Sequence, residues 1–191
     1  MNRVILSAST DETILAVTRQ HKLVDLEIEQ QINTEIVGCI YKGVVKNIVP
    51  AVDGIFVDIG IGKNAFLRRK DLLNEKRFPT EGSPILAQVI KSDTDMKGAL
   101  ITEKISMFGK YAVTLSGTGY IGVSKKIRQE SVRKRLKEIG KEICAEHMGL
   151  IIRTAAENAD MDEFRKDITR LKENWDIIQK RFRMEKLPTL L

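Results

Sequence analysis

Residues 36–67 read IVGCIYKGVVKNIVPAVDGIFVDIGIGKNAFL, and this stretch decides the fold. Five short runs rich in β-branched and aromatic residues lie in it and after it: 36–45, 54–60, 63–67, 85–90 and 99–102. Gly, Asp, Asn and Pro separate these runs, as they do at the turns of small all-β domains. We therefore predict a closed barrel of five strands over residues 35–111, the class to which the OB-fold belongs.

The run at 54–60 also predicts which side chains lie on the outer surface of the barrel. Ile55, Val57 and Ile59 share one face of the strand, which leaves Phe56 on the other face, because successive side chains alternate. Phe66 occupies the next strand, and two outward aromatic rings of an OB-type barrel stack unpaired bases. The alternative is that these rings fill the core of a small barrel.

Basic residues accompany this face in sequence and could follow a phosphate backbone, or could be an ordinary solvated face. They are Lys42, Lys46, Lys63, Arg68, Arg69, Lys70 and Lys97.

The regions on either side of the barrel differ in pattern. Residues 1–34 hold three strand-like runs and predict a meander too small to bury both of its faces. Residues 112–191 combine a predicted hairpin, with strands at 112–115 and 120–123, and two helices. The first helix is predicted over 129–144, and the second begins after Asp160, which can cap it, with Glu163 closing a capping box. The predicted fold class is α+β and mostly β.

A second functional candidate lies near residue 150. Met148 and Gly149 precede the apolar run 150–152, which ends in Arg153 and Thr154. This pattern predicts a buried strand that delivers a guanidinium and a hydroxyl to its exposed end, where they could hold a terminal phosphate. The alternative is a solvated strand end without a ligand.

Composition limits the classes of function. The 191 residues include 42% hydrophobic and 30% charged residues, as expected for a folded globular chain. A net charge of +6 and a pI near 9.3 favour a polyanionic partner. Cys39 and Cys144 predict neither a disulfide framework nor a zinc site. The first ten residues are too short in apolar length for a signal peptide, and no apolar run reaches the roughly 18 residues that span a bilayer. We expect a cytoplasmic protein without a membrane span.

No constellation for catalysis or metal binding can be recognised. His21 and His147 have no adjacent nucleophile, and Asp93, Asp95, Asp160 and Asp162 suit turns and helix caps. We therefore predict no catalytic residue and no metal ligand in this chain.

Read in order, the motifs resemble one family. Residues 40–45, 49–60 and 64–67 are similar to the S1-type RNA-binding domain of the bacterial RNase E and RNase G family, and KGALIT at 97–102 is similar to the closing strand of that domain. MGLIIRTAA at 148–156 resembles the family's 5′-monophosphate sensor strand. GVSKKI at 122–127 resembles the loop before that strand, and NWDII at 174–178 resembles a late helix. The resemblance covers essentially the whole chain.

The resemblance implies roles for matching residues. Phe56 and Phe66 would stack bases and Lys97 would contact a phosphate. Arg153 and Thr154 would bind the 5′-monophosphate of single-stranded RNA. Lys125 and Lys126 would bind the same 5′-phosphate. They stand where the family often has two arginines, so the charge is kept and the bidentate fork is lost.

The resemblance also implies what lies elsewhere. Residues 1–34 would be the opening strands of an interrupted RNase H-like domain, residues 35–111 the S1-type domain, and residues 112–191 the mixed α/β sensor region. The chain would be the N-terminal part of a metal-dependent endoribonuclease of RNA processing and decay. The catalytic Mg²⁺ would be held beyond residue 191, so none is expected in this chain, and homo-oligomers are expected for the longer protein. The alternative is a self-contained, non-catalytic RNA-binding or ribosome-associated module.

Overall fold

The computed structural model describes residues 2–8, 12–20, 22–30, 36–94, 97–144 and 148–191. The chain forms two compact units, residues 1–36 and 37–191. The strands of the predicted barrel and residues 112–191, the predicted sensor region, fall in the second unit. The boundaries predicted at residues 34 and 111 remain predictions.

The first unit is a three-stranded antiparallel sheet in the order β1-β2-β3. Its strands are β1 (Asn2–Ala8), β2 (Glu12–Arg19) and β3 (Lys22–Gln30). Val4 faces Val17 across the first pair of strands, and Ala16 faces Leu26 across the second. The predicted meander is therefore present, and its membership of an RNase H-like domain remains a prediction.

The second unit begins with the predicted barrel, whose five strands are β4 (Ile40–Val49), β5 (Gly54–Asp58), β6 (Ala65–Arg68), β7 (Pro84–Lys91) and β8 (Leu100–Thr102). They follow the order β4-β5-β6-β8-β7, and pairing of β4 with β7 closes the ring. Ile55, Val57, Leu67 and Ile101 point inward and are 0% exposed. The prediction of a five-stranded, OB-like barrel is confirmed.

The first barrel strand begins later than predicted. Residues 37 and 38 form a turn, and Gly38 has a φ of +88°, a conformation that ends an extended run and favours glycine. The Gly38 N–H donates to Val89 O at 2.8 Å, so the turn is fastened to β7. The strand then continues to Val49, four residues beyond the predicted end.

The rest of the chain forms a mixed sheet with two helices. Its elements are β9 (Ser106–Phe108), β10 (Ala112–Ser116), β11 (Ile121–Val123), α1 (Glu130–Ile143), β12 (Met148–Ile152), α2 (Met161–Met184) and β13 (Thr189–Leu190). The order of the four-stranded sheet is β11-β12-β10-β9. Both predicted helices are present, and their buried faces include Leu136, Ile139, Phe164, Ile168 and Leu171.

The predicted hairpin of β10 and β11 is wrong. β12 lies between these two strands, antiparallel to β10 and parallel to β11. The helix α1 is the crossover that makes a parallel pair possible, and an apolar strand such as β12 is suited to the centre of a sheet. The turn-prone residues 116–119 therefore lead into an irregular segment rather than a two-residue hairpin loop.

The helix α2 starts at the predicted cap. The side chain of Asp160 accepts hydrogen bonds from the N–H groups of Asp162 at 2.9 Å and Glu163 at 3.1 Å. Glu163 does not close a capping box, because its carboxylate instead accepts hydrogen bonds from Lys110 and Tyr111.

Beyond α2 the chain returns to the barrel. β13 extends the edge of β4, with Thr189 paired to Lys42 and Leu190 paired to Tyr41. No helix in the described ranges has both the length and the apolarity required to cross a bilayer.

Candidate nucleic-acid interface

Phe56 and Phe66 lie side by side on the outer face of the barrel. They pair directly across β5 and β6, with ring centroids 5.4 Å apart and ring planes inclined by 53°. Both rings are half-buried, whereas their neighbours Ile55 and Leu67 are 0% exposed. Strand alternation therefore separates these two rings from the core and leaves each with an accessible surface.

A groove of about 630 Å³ extends over the two rings. It is lined by Val52, Phe56, Phe66, Lys91, Ser92, Thr94, Lys97, Gly98 and Leu100. The rings and Leu100 supply apolar surface, and Lys91 and Lys97 supply charge. Such a groove suits an unpaired base on an aromatic ring with a neighbouring phosphate near an ammonium group.

Two glycines allow this arrangement. A Cβ atom at Gly54 would overlap the Phe66 ring, and one at Gly98 would overlap the backbone of Asn64. The segment that carries Lys97 therefore packs directly on β6, where the Phe66 N–H donates to Ala99 O at 2.7 Å. Lys97 is placed beside the rings by backbone contacts rather than by its own side chain.

The structure gives the basic residues near the barrel different surroundings, and Lys42 is covered by other parts of the chain. Lys42 is only 8% exposed: its ammonium group donates to Glu185 O at 2.8 Å and lies 5.2 Å from the centroid of the Phe182 ring. The expectation that Lys42 follows a phosphate backbone is therefore wrong, because α2 and β13 cover it.

Most of the other predicted cations have acidic partners. The pairs are Lys46–Asp58, Lys63–Asp93, Arg68–Asp71 and Arg69–Asp53. Lys97 is exposed and forms no ion pair within the ranges that the structure describes, and the same is true of Lys91. Lys91 was missed from the sequence because its place beside the rings depends on closure of the barrel.

Arg153 and Thr154 follow β12 directly, as predicted. The Arg153 N–H donates to Tyr111 O at 2.8 Å, and its guanidinium Nη1 donates to Gly109 O at 2.8 Å. The side chain is nevertheless exposed. Since a guanidinium carries five N–H donors, Arg153 is anchored at one side and keeps donors for a ligand.

The loop that contains Lys125 and Lys126 meets Thr154. β11 and β12 are parallel, so the segments after their carboxyl ends emerge at the same edge of the sheet. The hydroxyl groups of Ser124 and Thr154 are 3.0 Å apart, and the Ser124 N–H donates to Ile152 O at 2.8 Å. The structure therefore brings together the two sequence segments that we predicted to form one site.

Lys125 and Lys126 occupy a turn in this loop, and both are exposed. The Lys126 N–H donates to the Ser124 hydroxyl at 3.3 Å, which fixes the backbone of the turn. Neither lysine forms an ion pair with another described residue. Their ammonium groups add positive charge at the edge where Arg153 and Thr154 emerge.

Arg133 holds this loop and was missed from the sequence. Its Nη1 atom donates to Ser124 O at 2.7 Å and to Ile127 O at 3.0 Å. A signal was present, because residues 133, 136 and 140 share a helix face and Leu136 and Gly140 are buried. An arginine on such a face is expected to satisfy backbone carbonyl groups.

The turn before β10 carries a short network. The Tyr111 hydroxyl donates to Glu163 Oε2 at 2.5 Å, and Lys110 Nζ donates to the same oxygen at 3.1 Å. The hydrogen bond from Tyr111, together with that from Lys110, lowers the pKa of Glu163. The interaction of Lys110 with the Tyr111 hydroxyl, followed by its hydrogen bond to Glu163, raises the pKa of Lys110.

Among the described residues, no cluster of three or more His, Cys, Asp or Glu side chains is arranged to hold a metal ion. His21, Asp95 and His147, which we considered from the sequence, lie outside the described residues. Cys39 and Cys144 are not joined in a disulfide.

Sequence comparisons agree with this architecture. Residues 34–102 match the S1 RNA binding domain, and residues 106–191 match the Ribonuclease E/G family. The two matched ranges together include the aromatic groove, the 124–126 loop and the Arg153–Thr154 segment.

Individual relatives carry the same names. Ribonuclease G of Escherichia coli K12 is 34% identical over an alignment of 195 positions that covers 93% of this chain and 40% of the relative. Ribonuclease G of Haemophilus influenzae is 34% identical over 97% of this chain and 41% of its own length. Ribonuclease E of Synechocystis is 33% identical over 86% of this chain and 26% of its own length. The chain thus spans about two fifths of these ribonucleases G and about one quarter of the ribonuclease E.

Proposed function

Since this chain belongs to the ribonuclease E/G family, we propose that it is the part of an endoribonuclease that binds single-stranded RNA and recognises its 5′ end. The observation that carries RNA binding is the groove with two paired phenylalanine rings and two lysines. The match to the S1 RNA binding domain over the same residues supports this assignment.

Binding at the groove rests on stacking and charge. Each base stacked on an aromatic ring contributes about 1–3 kcal/mol, irrespective of its identity. Lys97 and Lys91 attract the phosphates on either side. A base inside a duplex has no free face, so the groove selects unpaired RNA.

Recognition of the 5′ end rests on Arg153, Thr154 and the 124–126 loop. A 5′-monophosphate has free oxygens that a guanidinium, a hydroxyl and nearby ammonium groups can bind together. A 5′-hydroxyl lacks these oxygens and leaves Arg153 without a ligand. Preference for 5′-monophosphorylated RNA follows from this difference.

Cleavage is a separate step in this proposal. The described residues of this chain bind and orient RNA, and the RNA-cutting chemistry of the longer enzyme, supported by magnesium, is supplied by other residues. A metal ion of this kind activates water for attack on a phosphodiester. Since its substrates are cellular RNAs, we propose that the protein acts in the cytoplasm.

The test is to incubate the purified 191-residue protein with a labelled 5′-monophosphorylated oligonucleotide and magnesium chloride. We expect a retained complex and no shortening of the RNA, and we expect the matching duplex to bind more weakly. Metal-dependent cleavage by a preparation of verified purity would refute the separation of binding from catalysis. Equal binding of duplex and single strand would refute the role of the groove.

A further inference from the structure

We infer that Asp167 is a positioning residue for recognition of the RNA 5′-phosphate, acting on Arg153 through the turn at residues 109–111. This inference rests on the proposed function. Asp167 itself would not touch the RNA. It lies on α2, a helix that sequence patterns connect with core packing rather than with the site.

The carboxylate of Asp167 binds two consecutive backbone N–H groups of the turn. Oδ1 accepts from Lys110 N at 3.2 Å, and Oδ2 accepts from Tyr111 N at 2.8 Å. The residue is 7% exposed, and Arg170 Nη2 lies 3.2 Å from Oδ1. A buried carboxylate with this set of donors fixes the turn firmly, because hydrogen bonds to a charged acceptor are among the stronger ones.

The other side of the same turn holds Arg153. Gly109 O accepts from the Arg153 guanidinium at 2.8 Å, and Tyr111 O accepts from the Arg153 backbone N–H at 2.8 Å. The N–H groups of Lys110 and Tyr111 thus point to Asp167, and the carbonyl groups of Gly109 and Tyr111 point to Arg153. Asp167 therefore determines where both anchors of Arg153 lie.

Gly109 shows how closely the carboxylate packs on the turn. A Cβ atom at residue 109 would lie 2.5 Å from Asp167 Oδ2, within the range where an atom has to move. Gly109 also donates its N–H to Ala112 O at 2.8 Å, which connects the turn to β10. Only a glycine at position 109 allows the Asp167 carboxylate to lie this close to the turn, so the two residues act together to fix the turn.

The consequence concerns geometry. Bidentate binding of a phosphate requires a guanidinium whose plane is held in a fixed direction. If the Asp167 carboxylate is removed from the turn, the carbonyl group of Gly109 moves. The Arg153 guanidinium then loses the hydrogen-bond acceptor that fixes its orientation. The affinity that depends on the 5′-phosphate then falls, whereas the aromatic groove keeps its own contacts.

The experiment compares the wild type with Asp167→Asn and measures dissociation constants for 5′-monophosphorylated and 5′-hydroxyl RNA of one sequence at one salt concentration. An asparagine accepts from one N–H group and turns its own N–H₂ toward the other, so one hydrogen bond becomes a repulsive contact. We expect the preference for the 5′-phosphate to fall about tenfold and the affinity for 5′-hydroxyl RNA to stay the same. Asp176→Asn is the matched control, because this exposed residue of α2 undergoes the same change of charge.

The outcomes separate the inference from the function on which it rests. A purely structural role for Asp167 would weaken binding of both RNAs together, and this result would overturn the inference. An unchanged preference in Asp167→Asn, together with a lost preference in Arg153→Ala, would overturn the inference alone. An unchanged preference in Arg153→Ala would overturn the proposed function.

If melting shows that Asp167→Asn does not fold, a second variant keeps the test possible. Gly109→Ala displaces the carboxylate from the opposite side and is expected to give the same selective loss.

Discussion

Phe56 can be interpreted as a base-stacking ring or as a core residue, and the two interpretations predict opposite effects of its removal on RNA binding and on stability. The ring is half-buried and faces Phe66, whereas Phe164 of α2 is part of a core cluster and is 0% exposed. These two phenylalanines offer a matched comparison within one chain.

We expect Phe56→Ala to weaken binding of single-stranded RNA by about 1–3 kcal/mol and to change the melting temperature little. Phe164→Ala is the control and should lower the stability by about 3–5 kcal/mol, because it leaves a cavity. Binding titrations and thermal melts of both variants check this. A large loss of stability in Phe56→Ala with intact RNA binding would show that the ring is core.

Glu163 gives a prediction about pH. Its pKa is lowered first by the hydrogen bond from Tyr111 and then by Lys110. We expect the pKa of Glu163 to rise toward the ordinary carboxyl value in Tyr111→Phe, because the bond that favours the charged form is removed. An NMR titration of the Glu163 carboxyl carbon in both proteins measures this.

The sign for stability follows from the same shift. A carboxylate whose pKa is lower in the folded state stabilises that state at any pH above the unfolded pKa, and the contribution disappears as the pH falls through the folded pKa. The difference in stability between wild type and Tyr111→Phe should therefore shrink on acidification. A Glu163 pKa that is identical in the two proteins would contradict the importance of this hydrogen bond.

Individual site residues could be predicted from the sequence where a local rule applied. Strand alternation placed Phe56 and Phe66 on one face, and the strand before Arg153 placed it at an exposed edge. Lys91 and Arg133 could not be found so easily, because their positions depend on barrel closure and on helix packing. Lys42 was assigned to the surface wrongly, since its cover comes from residues more than 140 positions away.

At the scale of elements, local signals predicted the helices well and the strand order less well. Apolar spacing gave α1 within one residue at each end, and Asp160 marked the start of α2. The pairing of β10 with β12 could not be predicted from turn residues, because the α1 crossover inserts β12 between two strands that are close in sequence.

The cap of α2 can be tested by itself. We expect Asp160→Ala to lower the free energy of unfolding by about 0.5–2 kcal/mol, because two N–H groups of the first turn lose their acceptor. Asp162→Ala is the control, since this neighbour supplies only its negative charge near the helix start. Denaturant unfolding of both variants measures the difference. Equal losses for the two substitutions would contradict a specific role of the Asp160 side chain.

At the scale of the whole second unit, β13 joins the end of the chain to the barrel. β13 pairs with β4, and Lys42 reaches from the barrel to the carboxyl end of α2. The aromatic groove and the Arg153–Thr154 segment therefore belong to one compact unit. We expect RNA bound in the groove and its 5′ end bound at Arg153 to contribute to one binding event.

The central claim is that the residues after β12 recognise a 5′-phosphate. The most direct measurement is the affinity of wild type and Arg153→Ala for 5′-monophosphorylated and 5′-hydroxyl RNA of the same sequence. All four dissociation constants must be determined at one fixed salt concentration, because binding to phosphates depends steeply on salt. We predict that the wild type prefers the monophosphate and that Arg153→Ala loses this preference while its affinity for 5′-hydroxyl RNA is unchanged. A preference that survives in Arg153→Ala, or a wild type that binds both RNAs equally, would contradict the account.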